Sequence, residues 1–289
     1  MKEQDKLRRF LFENIGVRGE WVKLEQSWQG IRRYQEGPEH VMHQLGQALA
    51  AVAMLSATVK FKGSIILQAQ GNGALKTLVA QSTEQRKIRG LIRSRQQVPT
   101  GSLQTMFGEG CMVLTIESEN AESYQGIVPL KGRNLSEALE TYFNQSEQLN
   151  TRIWLGADNQ GAAGLLLQEL PSVAYDKEGW ERITMLAETL TERELLGLDC
   201  APLLHRLFNQ EKVRLFDSEP VEFACHCSKN RIGATLESMG RNELEAILAE
   251  QGEIRVNCEF CGRRYRFDQA DLERLFATLP DSGLSGLHH

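Results

Sequence analysis

The sequence lacks the apolar segments of a membrane or secreted protein. Its longest apolar run, around ALAAVAMLSA, is too short to cross a bilayer, so we expect no membrane partner. The stretch MKEQDKLRRFLFENIG is charged and has no apolar segment of the secretory kind. We therefore expect a cytoplasmic protein. In a reducing compartment, paired cysteines are interpreted first as metal ligands or redox thiols, and only then as static disulfides.

The sequence also lacks the patterns typical of an enzyme. Its serines and histidines are scattered, and the GNG at residues 71–73 lacks the strand–loop–helix context of a phosphate-binding loop. A formal net charge of −5 argues against nucleic-acid binding by the whole chain. We therefore expect a non-enzymatic protein that does not bind nucleic acid.

Cysteine is scarce but clustered. The chain has six cysteines, and four of them form two tight pairs, Cys225-x-Cys227 and Cys258-x-x-Cys261. Two such pairs, brought together, complete a tetrahedral shell of four thiolates around zinc. The spacing predicts one Zn²⁺ per chain, bound by these four residues. We expect the side chain of His226 to project away from the ion, as an exposed bystander.

The same four thiols have a second possible fate. Thiolate is the form that binds metal and also the form that oxidants attack. Cys258 and Cys261 can close a disulfide with modest strain, and Cys225 and Cys227 with more, so oxidation would remove the metal that holds the region together. The other two cysteines, Cys111 and Cys200, have no partner at ligand spacing and are interpreted as packing residues.

Patterning predicts an α+β fold. Strands and helices are mixed without a regular βαβ repeat, and an alanine-rich helix is expected over residues 40–58. We expect a mixed α/β core domain at 1–171, a helical linker at 172–218, a small zinc module at 219–279 and a disordered tail at 280–289. A module of about sixty residues has too small a hydrophobic core to be stable without a bound metal or disulfides.

The linker combines many charges with apolar residues at helical spacing. These residues, called here the linker stripe, are Trp180, Ile183, Leu186, Leu190, Leu204, Leu207 and Phe208. We predict a capping box at Thr191–Glu194 and helix breaks at Gly197 and Pro202. The simpler interpretation is that these helices dock on the first domain. Their place between two domains also permits a switch in which they undock.

On these residues the chain resembles a family of redox-regulated heat-shock chaperones of thirty-three kilodaltons. The most specific match is the Cys-x-Cys and Cys-x-x-Cys arrangement. Further matches, in the right order, are LSATVKFKGSIILQAQGNGALKTLVAQ at 55–81, YQGIVPL at 124–130, YFNQSEQLNTR at 142–152 and GLLLQELP at 164–171. The resemblance extends over nearly the whole chain.

The resemblance implies a cytosolic holdase chaperone that is inactive while reduced and zinc-bound. It implies that oxidation forms disulfides of the Cys225–Cys227 and Cys258–Cys261 type and releases zinc. The C-terminal module and linker would then unfold. The oxidised protein would bind unfolding client proteins as a homodimer, through the core domain and the exposed apolar surface, and so limit aggregation under oxidative stress.

Two rival functions remain at this point. In a nucleic-acid-binding zinc ribbon, Arg263, Arg264 and Arg266 would contact phosphates while Tyr265 and Phe267 stacked on bases, although nearby acidic residues dilute this patch. In a thiol oxidoreductase, the Cys-x-x-Cys pair would lie at a helix N-terminus after a strand. Here strand-like segments flank that pair on both sides, which disfavours the oxidoreductase.

Overall fold

The structure, a computed structural model, describes residues 3–58, 62–118, 121–170 and 176–277. The chain divides by its contacts into a first unit ending at Ala224 and a second unit beginning at Cys225. The predicted tail at 280–289 and the predicted boundary at Pro171 lie outside the described residues. The three-part functional division of the chain stays a prediction.

The first unit contains most of the strands and helices. Its strands are β1 (Lys6–Phe12), β2 (Val17–Leu24), β3 (Gly63–Gly71), β4 (Leu75–Thr83), β5 (Lys87–Ser94), β6 (Gly110–Ser118), β7 (Ala121–Pro129), β8 (Thr151–Ala157), β9 (Ala162–Glu169), β10 (Val213–Pro220) and β11 (Glu222–Phe223). Its helices are α1 (Gln26–Arg32), α2 (Glu39–Thr58), α3 (Leu103–Phe107), α4 (Leu135–Tyr142), which continues as a π-helical turn, α5 (Lys177–Ala187), α6 (Glu192–Gly197) and α7 (Cys200–Phe208).

Two sheets enclose α2. The first sheet has the strand order β10-β1-β2-β9-β8, and the second has the order β11-β5-β4-β3-β6-β7. Neighbouring strands are antiparallel apart from the short parallel pair of β11 with β5. The mixed α/β character predicted from the sequence is confirmed.

The buried helix α2 lies where the sequence predicts it, within one residue at its start. Its alanines and Gly46 let the strands approach closely, and a Cβ on Gly46 would lie 2.7 Å from the Cβ of Ala157. Because Leu45, Ala48, Leu49 and Ala53 are fully buried, this helix forms the centre of the main core.

Helices α5, α6 and α7 cover the other face of the first sheet. Ile183, Leu195, Leu203, Leu207 and Phe208 pack in one cluster with side chains of that face, which are Phe10, Phe12, Val17, Trp21, Leu165 and Leu167. Members of the linker stripe therefore form a second core with the sheet. The simpler interpretation of docked helices agrees with this arrangement.

Three local predictions about the linker had different outcomes. The capping box at Thr191–Glu194 is confirmed, since both of its hydrogen bonds are present. The predicted break at Pro202 is wrong, because this proline lies in the first turn of α7, where a helix does not need its N–H. The predicted helical character is also wrong at the end of the segment, where residues from Val213 pair as β10 with the distant β1.

The second unit is small. It contains α8 (Lys229–Glu237), α9 (Arg241–Gln251), β12 (Ile254–Asn257), β13 (Arg264–Phe267) and α10 (Gln269–Ala277). Among its described residues, the buried apolar side chains of the core are Leu236, Leu244, Leu248, Ile254, Phe267 and Leu272. The predicted end of α9 at Gly252 is confirmed by a left-handed φ of 76°, and Asp268 caps α10 through a 2.9 Å bond from the Asp271 N–H.

Within the described ranges, no helix combines the length and apolarity of a membrane span.

Asp5 joins three parts of the first unit. Its carboxylate accepts the N–H groups of Glu25, Gln26 and Ser27 at the start of α1, at 3.2, 2.9 and 2.8 Å. Its main-chain oxygen accepts the N–H of Val221 at 2.9 Å, just before β11. Asp5 adopts a φ of 49°, which Asp and Asn tolerate better than most residues.

We expect Asp5→Ala to lower the free energy of unfolding of the first unit by about 1–2 kcal/mol, because the helix cap is lost. Asp5→Asn keeps one acceptor oxygen and tolerates the left-handed backbone, so its loss should be smaller. Urea unfolding followed by tryptophan fluorescence reports on this unit, since all four tryptophans lie there. Equal losses in the two variants would show that the cap does not stabilise the unit.

Candidate metal centre

Two short turns of the second unit present the four clustered cysteines. Cys225 and Cys227 precede α8, whose first turn is capped by the Ser228 hydroxyl. The main-chain oxygen of His226, between the two cysteines, accepts a 3.0 Å bond from the Arg231 guanidinium. The side chain of His226 is exposed, as expected of a bystander.

Cys258 and Cys261 lie in the turn that joins β12 to β13. The Cys258 N–H donates to the Arg263 oxygen at 2.8 Å, and the Gly262 N–H donates to the Cys258 oxygen at 2.7 Å. Gly262 has a φ of 66°, a conformation that glycine adopts without strain. The turn therefore holds both sulfurs on one side of the hairpin.

The four sulfurs form a single cluster. All lie within 4.8 Å of one another, with 3.7 Å between the sulfurs of Cys225 and Cys258 and 3.4 Å between those of Cys227 and Cys261. A tetrahedral ion with metal–sulfur bonds of about 2.3 Å separates its sulfurs by about 3.8 Å. The donor set and spacing fit a soft divalent metal ion.

Hydrogen bonds reach several of these sulfurs. The main-chain N–H groups of Phe260 and Cys261 bond to the Cys258 sulfur, and that of Arg263 bonds to the Cys261 sulfur. The Tyr265 hydroxyl donates to the Cys227 sulfur at 3.1 Å. Such donors stabilise the thiolate form.

The thiols consequently differ in acidity. For Cys227, burial acts to raise the pKa, but hydrogen bonds from Tyr265 and the neighbouring thiols outweigh it and lower the pKa to about 7. Burial is the main reason that the pKa of Cys258 is raised and that the pKa of Cys261 rises to about 12. Without a cation, Cys227 therefore loses its proton more readily than Cys258 and Cys261 do.

Sequence reasoning missed the contact of Tyr265 with Cys227. It interpreted Tyr265 and Phe267 as possible base-stacking residues, but Phe267 is buried in the core and Tyr265 is half-buried against Cys227. Arg264 and Arg266, at the alternate positions of β13, are exposed. The period-two alternation of β13 could have indicated this, because it places Tyr265 on the same face as Phe267.

The other cysteines lie in the first unit. Cys111 is half-buried on β6, opposite Gln70 and Pro129. Cys200 is fully buried at the start of α7, and burial strongly raises the pKa of its thiol. Neither belongs to the four-cysteine cluster found among the described residues.

Comparison with known proteins gives one consistent family. The model of the family described as Hsp33 protein matches residues 5–268. A 33 kDa chaperonin of Nitrosococcus oceani is 54% identical over 289 residues, with both chains covered completely. Those of Pseudomonas paraeruginosa and Shewanella loihica are 43% and 44% identical, and their alignments cover at least 96% of each chain.

A solved structure has the same fold. The crystal structure of a 33 kDa chaperonin from Thermotoga maritima superposes with a TM-score of 0.82 and covers 94% of this chain and 98% of that chain. Because the two sequences are only 22% identical, this likeness concerns the fold alone.

Metal uptake by the cluster should depend steeply on pH. The raised pKa values of Cys258 and Cys261 keep both protonated near neutrality, whereas metal-bound thiols are thiolates. Protons therefore compete with the metal, and a lower pH weakens binding. With at least two protons released, the apparent affinity for cobalt(II) should rise about a hundredfold per pH unit between about pH 6 and pH 8.

The measurement is a competitive titration of the reduced full chain, followed by the absorbance of thiolate-bound cobalt. An affinity that does not change with pH would show that the thiols are not the ligands.

Proposed function

The chain belongs to the Hsp33 protein family, and on that premise we propose that it is a cytoplasmic, redox-regulated holdase chaperone. Reduced and bound to one Zn²⁺ through Cys225, Cys227, Cys258 and Cys261, it is inactive. Oxidation releases the zinc and exposes apolar surface that binds unfolding client proteins. The observation that carries this proposal is the cluster of four sulfurs within 4.8 Å of one another.

Bound zinc would keep all four sulfurs as thiolates and connect the β12–β13 hairpin to the segment before α8. The second unit needs such a connection, since its buried core consists of six side chains. Structural zinc contributes on the order of 10–16 kcal/mol in model peptides, more than the net stability of most domains of this size. Loss of the ion therefore favours unfolding of the unit.

A peroxide can oxidise each cysteine pair by two electrons. One thiolate attacks a peroxide oxygen, the O–O bond breaks, hydroxide leaves and the sulfur becomes a sulfenic acid. The second thiolate attacks that sulfur and displaces the hydroxyl group, which leaves as water after taking up a proton, and the S–S bond forms. Cys225 pairs with Cys227 and Cys258 with Cys261, so that no thiolate remains to bind metal.

The linker conveys this change to the first unit. Its three helices are held unequally: α7 buries Leu203, Leu204, Leu207 and Phe208, whereas Trp180, Leu186 and Leu190 of the linker stripe are only half-buried. Helices with so little buried surface depend on their neighbours for stability. Once the second unit unfolds, α5 and α6 undock first and α7 follows, since Phe208 of α7 packs on Phe12 of the sheet.

Undocking exposes the apolar face of the first sheet, including Phe10, Phe12 and Trp21. Exposed apolar patches of this kind bind proteins. The oxidised protein therefore captures unfolding chains, acts as a homodimer and does so without catalysis.

Both rival functions are disfavoured by particular residues. A nucleic-acid-binding ribbon needs aromatic rings free to stack, but Phe267 is buried and Tyr265 bonds to Cys227. An oxidoreductase needs its Cys-x-x-Cys pair at a helix N-terminus, but Cys258 and Cys261 lie in the hairpin between β12 and β13.

Replacing one proposed ligand should abolish stoichiometric zinc binding. We expect reduced Cys258→Ser to retain far less than one zinc per chain, because three thiolates cannot complete the shell. The control Cys111→Ser/Cys200→Ser should keep both full zinc and its release on oxidation. Zinc and free thiols are counted before and after peroxide treatment. Full zinc in Cys258→Ser would refute the ligand set, and a control that no longer releases zinc on oxidation would refute the dispensability of Cys111 and Cys200.

Undocking the linker by mutation should activate the chaperone without oxidation. Leu204→Glu/Leu207→Glu places two charges in the second core, where burial of a charge is strongly unfavourable. The reduced, zinc-loaded variant should suppress light scattering by a denaturing client. Ala201→Glu/His205→Glu adds the same charges at exposed positions of α7 and should stay inactive. If the folded, zinc-loaded Leu204→Glu/Leu207→Glu variant were as inactive as the parent, the linker would have no part in the mechanism.

A further inference from the structure

The sulfurs of the cluster receive hydrogen bonds from two kinds of donor. At Cys258 and Cys261 the donors are main-chain N–H groups, which belong to the turn itself. At Cys227 the donor is a side chain, the Tyr265 hydroxyl, at 3.1 Å. This second kind of donor can be changed without altering the backbone of either cysteine turn.

The position of Tyr265 is fixed by the hairpin. It pairs with Val256 across β12 and β13, and its ring packs against the small core on the same face as buried Phe267. The hydroxyl is therefore presented to the sulfur by a strand residue rather than by a mobile loop.

Arg263 strengthens this donor. Its guanidinium interacts with the Tyr265 hydroxyl, so that a positive charge lies near the O–H group that donates to Cys227. Hydrogen bonds arranged in a chain polarise one another, and each becomes stronger. The charge of Arg263 polarises the Tyr265 O–H group in the same sense and so strengthens its bond to Cys227.

We propose that Tyr265 is a positioning residue of the redox switch, whose hydroxyl retains Cys227 in the metal shell and slows its reaction with peroxide. A hydrogen bond to a thiolate draws on the lone pair that would otherwise attack the peroxide oxygen. The same bond comes from a strand residue and orients the sulfur towards the other three sulfurs of the cluster. Tyr265 would thereby set how much oxidant is needed before the metal is lost. This inference rests on the proposed metal-binding function.

The test compares Tyr265→Phe with the parent protein, using reduced full-length chains. Phe keeps the packed ring and removes only the oxygen. Outer-shell changes typically cost tenfold to a hundredfold in metal affinity, so we expect about tenfold weaker zinc binding against a competing chelator. Loss of thiols to hydrogen peroxide should be severalfold faster.

A spectroscopic measurement separates this role from a merely structural one. In the cobalt(II)-substituted protein, losing the hydrogen bond raises the energy of the sulfur lone pair, so the sulfur-to-cobalt charge-transfer band should move to longer wavelength. Tyr265 replaced by 3-fluorotyrosine keeps the hydroxyl as a stronger donor, and it should shift the band and the peroxide rate in the opposite direction. Tyr124→Phe, which removes the hydroxyl of an exposed tyrosine of the first unit, is the matched control and should leave the band position, the metal affinity and the peroxide rate unchanged.

The outcomes are distinguishable. Opposite shifts in the two Tyr265 variants support the proposal. A folded, metal-loaded Tyr265→Phe with the parent's band position, affinity and peroxide rate would overturn it, as would shifts in the same direction in both variants. If the parent itself bound no metal, the proposed function would fail first.

Discussion

Four sulfur atoms crowded into one small space are the constraint on which the rest of this protein depends. As thiolates they repel one another, and they can stay together only if a cation, protons or S–S bonds remove the negative charge. The proposed metal-bound and disulfide-bonded states would have different geometries, because the ion would join the two turns whereas each disulfide would lie within one turn. On the proposed function, the cluster would therefore have two alternative chemical states. A unit with six buried apolar side chains has little else to resist the change.

The first unit also contains segments that are held in place by few buried side chains. Helix α7 buries several large side chains against the first sheet, while α6 buries only Leu195 and α5 buries Ile183 and two small residues. Each large apolar side chain that is fully buried stabilises by about 1.5–3 kcal/mol, so docking of α5 and α6 is only weakly favoured. By contrast, the sheet beneath is stabilised independently by its other face, which packs on α2. This difference supports the proposal that the helices leave while the sheet remains folded.

Features encoded by local spacing could be predicted from the sequence, and features that depend on distant partners could not. The cysteine pairs, helix α2 and the Thr191 capping box each depend on residues a few positions apart. Strand β10 could not be recognised, because its pairing partner β1 lies about two hundred residues away and its own residues alternate weakly in burial. Tyr265 was misinterpreted for a related reason. Its arginine neighbours suggest a charged surface, whereas its hairpin register directs it to Cys227.

The hydrogen bonds around the cluster also indicate where a redox threshold can be adjusted. Main-chain donors to Cys258 and Cys261 are fixed by the turn that brings the two sulfurs together, so any change to them would also change the metal geometry. A side-chain donor is not fixed by the turn that positions the sulfurs. Since Tyr265 contacts Cys227 from a strand outside both cysteine turns, its strength as a donor can vary while the sulfur positions stay the same. On the proposed role of Tyr265, metal geometry and oxidant sensitivity would thus be controlled by separate parts of one hairpin.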